Sequence, residues 1–317
     1  MKNTYKRLQA IDTDTGEILG NILLKEGSEQ LILKVVNEKQ SDAIKKKNSN
    51  NSDIIEHIQR NEGTFVHLIY KYGFPLMDKL QARCEGSKAN IHIIRFIQLA
   101  TYSTFGGKLF DDNRNRIKKS SLSKIWQVEN NRKSVNETYR LLIECGYIYE
   151  TEEGYIMISE ELIIKGAVED FKRLKKEDTD LTYTRVFSKN VQDMYEGTES
   201  KCRKQLANLF KILPYINFKY NVFCENPTEV DSSKVIPLTW TDLARVCGYE
   251  EKKHINRFKK DLFKLKIYGY NVIGQFLTDS GYEILVNPKV YYAGDNIKDV
   301  EQLYSMFKMT LNTKAMG

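Results

Sequence analysis

Residues 237–249 read PLTWTDLARVCGY, and residues 250–266 continue EEKKHINRFKKDLFKLK. Thr239 and Asp242 stand at capping-box spacing, so a short helix starts there, and Gly248 breaks it. A second helix is predicted immediately afterwards. Ile255, Phe258, Leu262 and Phe263 supply its inward side. Its remaining surface is cationic: Lys252 to Lys266 holds seven basic residues and one acid, net +6. Two apolar stretches, YNVIGQFL and YEILVNP, then flank TDSG, the pattern of two strands and a tight turn.

The same order occurs upstream. NIHIIRFIQLATYSTF reads as an apolar helix opened by Asn90 and ended by Gly106 and Gly107. SSLSKIWQV, 120–128, reads as a short helix with a Ser cap, and ENNRK as a turn. SVNETYRLLIECG, 134–146, reads as a helix with Ser134 and Glu137 at capping-box spacing. YIYE and YIMIS flank TEEG as a hairpin. Both short helices keep an apolar pair three residues apart, Leu122 with Ile125 and Leu243 with Val246. Asp111 to Arg140 carries eight basic and four acidic residues, net +4.

Helix, helix, turn, helix and hairpin is the order of a winged helix-turn-helix. The expected fold is therefore mainly α with small β-hairpins, an α+β chain of tandem winged helix-turn-helix domains. In such a unit the last helix enters the major groove, and its exposed polar residues meet base edges and phosphates. In the first unit the candidates are Arg132, Lys133, Ser134, Asn136 and Arg140. Arg132 and Lys133 suit phosphates, Asn136 suits adenine, and Arg140 suits guanine or phosphate. Lys118 and Lys119, with Arg114 and Arg116, form a basic loop that fits a backbone contact or plain solvation. In the second unit the candidates are Lys252, Lys253, His254, Asn256, Arg257, Lys260 and Lys264. Lys252, Lys253, Lys259 and Lys260 suit phosphates, and Arg257 suits guanine. A solvated helix face is the competing reading of both sets.

The 317 residues suffice for two domains. The division expected is an N-terminal arm and polar linker, 1–52, and a first winged-helix domain with preceding helices, 53–165. A charged connecting segment, 166–184, leads to a second winged-helix domain, 185–296, and a C-terminal helix or tail, 297–317. Phe65, Leu68, Ile69 and Tyr72 have helical spacing, and ELIIKGAVEDFKRLKKEDTD, 161–180, reads as a helix becoming a linker. No apolar run approaches the roughly 20 residues of a membrane span, and the N-terminus lacks the apolar core of a signal peptide. A cytoplasmic protein without membrane contact is expected.

Five widely spaced cysteines form no CxxC pair, which argues against a zinc site and a disulfide framework. No metal or other cofactor is expected. GGK at 106–108 precedes Leu109 and lacks the P-loop pattern, so ATP hydrolysis is not inferred. His254 and Arg257 have HxxR spacing with Tyr282 or Tyr291 downstream, a fragment of tyrosine-recombinase chemistry. The upstream arginine box is missing, so the expectation is no enzyme. A catalytically inactive or, less favoured, active recombinase-like protein is kept as an alternative. Phe96, Phe105, Trp126, Tyr139, Tyr147, Trp240, Phe258 and Phe263 are expected in the core.

NRIKKSSLSKIWQVENNRKSVNETYRLLIECGYIY resembles winged-helix units of replication initiator and replication-control proteins of plasmids and phages from low-GC Gram-positive bacteria. GYEILVNPKVYYAG, with Asn287, Pro288, Tyr291, Tyr292 and Gly294, is similar to the strand and tail that follow such units. The resemblance covers about residues 90–160 and 236–294. It implies double-stranded DNA as partner, origin repeats as target and host replication proteins as further partners. Transcriptional repression or regulation is the alternative, because it shares the DNA-binding step. The first 85 residues have no counterpart and are candidates for homodimerisation or partner binding.

Overall fold

The computed structural model describes residues 5–11, 18–25, 65–69, 79–84, 88–128, 131–165, 183–278, 281–292 and 297–312. The chain divides into two compact units, Met1–His57 and Ile58–Gly317. In the first, β1 (Tyr5–Ile11) and β2 (Ile18–Lys25) pair antiparallel from Tyr5↔Lys25 to Ile11↔Ile18, with an irregularity between Ala10 and Ile11. The LILKVV strand and the polar linker expected beyond them lie outside the described residues.

The second unit is mixed α+β, with helices and small antiparallel sheets. Phe65–Ile69 is a strand, β3, in place of the expected helix. It is the centre of a three-stranded antiparallel sheet between β6 (Ile163–Ile164) and β7 (Tyr183–Phe187). Residues on both faces of a central strand are covered, and Val66, His67 and Leu68 are all buried. Continuous apolarity over so short a run does not distinguish strand from helix. The same sheet corrects the helix expected from residue 161, because Ile163 and Ile164 are strand residues. Residues 166–182 lie outside the described residues.

The first helical set is α1 (Ala89–Ala100), α2 (Leu122–Ile125) and α3 (Arg132–Glu144). It is followed by the hairpin of β4 (Ile148–Glu150) and β5 (Ile156–Ile158). Gly107, at φ 67°, approaches this hairpin so closely that a Cβ would run into the Ile158 carbonyl. Two sequence details change here. No Ser side chain caps α2, which instead continues a 3₁₀ turn over Lys119–Ser121. The cap of α3 is Asn131, whose side chain accepts from the Ser134 amide, so Ser134 is a helical residue and not the cap. Sequence spacing fits either start, and Asn131 wins because its backbone is non-helical while Ser134 already lies inside the helix.

The second set begins with α4 (Ser188–Gly197) and α5 (Leu206–Ile212), followed by α6 (Trp240–Val246) and α7 (Lys252–Lys264). The capping box of Thr239 and Asp242 is formed. Gly248, at φ 82°, turns the chain between α6 and α7. Two residues of short sheet, β8 (Lys266–Ile267) with β9 (Tyr270–Asn271), precede the longer hairpin β10 (Ile273–Thr278) and β11 (Gly281–Val286). The final helix, α8 (Ile297–Asn312), sets Phe307 edge-on against Phe276 of β10 at 5.4 Å.

The two sets share one core. Helix α1 is almost wholly buried and packs on both α3 and α5. Asn90 donates to Asn208 at 3.1 Å and accepts from the buried Lys211 ammonium at 2.7 Å, so the link between the sets is polar as well as apolar. Of the aromatics expected inside, Phe96, Trp126, Tyr139, Tyr147, Trp240 and Phe258 are buried and Phe263 is half-buried. Phe105 is the exception at 72% exposed, on the turn that Gly106 and Gly107 make beyond α1. All five cysteines are free thiols.

Candidate nucleic-acid interface

Helices α3 and α7 are each 13 residues long, and each residue of α7 stands 120 positions after its counterpart in α3. They therefore share a helical phase. Position 7 is buried in both, as Thr138 and Phe258, and so is position 11, as Leu142 and Leu262. At 100° per residue, positions 2, 5 and 9 fall within about 60° of one another on the opposite side. That outer stripe is Lys133, Asn136 and Arg140 on α3, and Lys253, Asn256 and Lys260 on α7, all exposed. Arg132 and Lys252 occupy position 1 and are exposed as well.

Position 8 ties each helix to its own hairpin. On α3 the Tyr139 hydroxyl donates to the Glu150 carboxylate of β4. Burial and that carboxylate push the phenol up to about 12, so it stays a donor. On α7 the Lys259 ammonium donates to Gln275 Oε1 of β10 at 3.1 Å and lies over the Trp240 ring at 5.3 Å. Lys259, expected at a phosphate, is thus half-buried and joins helix to hairpin.

The other candidates separate by position. Ser134 turns inward, where its hydroxyl and carbonyl accept from Arg95 at 2.9 and 3.0 Å. Lys119 reaches the outer side of α3, with its ammonium over the Tyr139 ring at 4.6 Å, and lines a groove with Asn136 and Arg140. Lys118 lies instead over Tyr155 on the hairpin turn, at 4.7 Å. On α7, Arg257 lies to one side of the stripe, 3.7 Å from Asp261, and with His254 lines a recess against Tyr249. Lys264 lies 3.4 Å from the same carboxylate. These pairs are exposed on the cation's side and are weak. By contrast Lys133, Asn136, Lys252, Asn256 and Lys260 make no side-chain hydrogen bond or ion pair among the described residues.

Sequence reasoning did not find what aims α3. Arg95, buried on α1, donates to Thr138 Oγ1 at 2.6 Å as well as to Ser134. Burial pulls its guanidinium below the usual range. The turn before α3 is held from the second set. Tyr195 and Arg203 both donate to the Trp126 carbonyl, at 2.9 and 3.2 Å, and Arg203 also donates to the Gln127 side chain. Nothing in the local sequence of Arg203 marks it.

The hairpins are not basic. The first exposes Glu150, Glu152 and Glu153, and the second exposes Leu277 opposite Tyr282 near its tip. Among the described residues no three His, Cys, Asp or Glu side chains gather as a metal site, and no helix is long and apolar enough to cross a membrane. Comparison with protein-family models, with curated proteins and with solved structures returned no match.

Proposed function

We propose that the protein is a sequence-specific double-stranded DNA-binding protein built on tandem winged helix-turn-helix units, with α3 and α7 as the reading helices. The observation that carries this reading is the pair of outer stripes, each basic, amide, basic: among the described residues Lys133, Asn136, Asn256 and Lys260 have no partner, and Arg140 and Lys253 make only exposed pairs, with Glu144 at 3.7 Å and Glu251 at 2.9 Å. A solvated helix face needs no such pairing of an amide with flanking cations. A major groove offers adenine to the amide and phosphates to the cations. Replication initiation is the role that the sequence resemblance supports, and transcriptional regulation would use the same contacts. Strand transfer is not part of the proposal: the Tyr291 side chain is buried, and Tyr282 lies on the hairpin opposite Leu277.

Fluorescence anisotropy with duplex fragments captured from the source genome tests the proposal. If about 6 to 10 phosphates are neutralised, affinity falls roughly 10³- to 10⁵-fold between 50 and 200 mM salt. No measurable duplex binding at 50 mM salt overturns it.

A further inference from the structure

We infer that a single chain reads the same short base element twice, once with each outward helix, and that Asn136 and Asn256 are the equivalent residues that specify an adenine in each copy. The inference rests on the proposed DNA-binding function and adds the form of the target and the residues that select it.

Three observations support it. Both asparagines occupy position 5 of helices of equal length that share buried positions 7 and 11. Whatever groove depth one reaches, the other reaches at its own site. Each is flanked by cations at positions 2 and 9, Lys133 with Arg140 and Lys253 with Lys260. Finally, both asparagines are a poor choice for the structure alone. Asn is unfavourable in a helix interior because its amide competes for backbone groups. Here each side chain is exposed and has no hydrogen-bond partner among the described residues. Alanine, lysine or glutamate would each suit an exposed helical position better. What an outward amide offers is paired recognition: Oδ1 accepts from the adenine N6 amino group while Nδ2 donates to N7.

The helices differ beside the stripe. Position 6 is Glu137 on α3 and Arg257 on α7, and position 13 is Glu144 and Lys264. Those positions flank the base contact, so they change the strength of backbone attraction without changing which base the amide meets. The two copies therefore share their adenine and differ in how tightly they are held.

The experiment is selection by the full chain from a random duplex library, followed by titration of single-base variants of the enriched site. Enriched sites should contain two copies of one short element. Asn136→Ala should abolish the adenine preference in one copy and Asn256→Ala in the other, each a loss of about 5- to 150-fold in discrimination at that base pair. Binding to random duplex should change little, and circular dichroism should be unchanged, because both side chains are exposed. Enriched sites with two unrelated halves overturn the inference, as does retention of the adenine preference in both variants; duplex binding as such survives either result. Absence of any duplex binding by the unmodified chain overturns the proposed function, and this inference with it.

Discussion

Beneath Asn136 the core is polar, and beneath Asn256 it is aromatic. Under α3, Thr138 meets His92 at 2.9 Å and Arg95 at 2.6 Å. Under α7, Phe258 stands at the corresponding position, 6.4 Å from Trp240 and 5.5 Å from Tyr249 between ring centroids. Charge divides the helices as well. α3 carries three basic and two acidic side chains, net +1, and α7 six and one, net +5. Two helices with one outer stripe thus differ in foundation and in surrounding field. Apolar burial is non-directional, whereas the hydrogen-bonded layer under α3 fixes the helix by direction.

The largest expected effect follows from the charge difference. Replacing Lys252, Lys253, Lys260 and Lys264 together by Ala should reduce the slope of log affinity against log salt by about four units, and replacing Lys133 and Arg140 by about two. Over 50 to 200 mM, the larger change is roughly 10²-fold in the affinity ratio. Anisotropy titrations at several salt concentrations decide this. An equal or larger slope change from the α3 pair breaks the assignment of α7 as the stronger backbone anchor.

The polar foundation predicts an acid response specific to α3. Burial, aided by the Arg95 charge and opposed by Glu137, holds the His92 pKa below its ordinary 6.5. The folded protein therefore keeps His92 neutral while the unfolded chain takes up a proton below pH 6.5. Stability should fall as pH decreases from 6.5 toward the folded pKa, by at most about 1.4 kcal/mol per pH unit from this group. Urea unfolding at pH 7.5 and 5.5 measures it, with His92→Gln as the control. If the variant loses as much stability as the parent between those two values, His92 is not the source.

The smallest effect concerns the caps. Asn131 caps α3, whereas Glu251 before α7 makes no side-chain cap hydrogen bond and instead pairs with Lys253 at 2.9 Å. Asn131→Ala should cost about 1 kcal/mol, and Glu251→Asp should add up to about that amount, because the shorter carboxylate suits the cap position. Thermal or urea unfolding of each variant sharpens the contrast. No loss in Asn131→Ala would mean that the Arg95 contacts hold the first turn of α3 without help.

Helices α3, α6 and α7 were legible because each is amphipathic over a full length and bounded by cap or glycine signals: Thr239 with Asp242, Gly248, and Gly146. Both hairpins were legible from their turn residues. The strand at Phe65–Ile69 was not, because a central strand buried on both faces has no alternation to read. Nor was the inward aim of Ser134, since a polar residue that meets a buried arginine 39 residues away looks the same in sequence as one facing solvent.

The sequence by itself determined which residues line one face of α3 and α7, because helical periodicity is local and the apolar positions are few. Only the tertiary structure decided which polar residues were left facing outward. Arg95 drew Ser134 inward, and Gln275 and Trp240 took Lys259. Each of those contacts joins residues from different elements or different turns, and the free energy that selects them exists only once the elements have packed. Tyr195 and Arg203 reach further than these, holding the turn before α3 from 69 and 77 residues away along the chain.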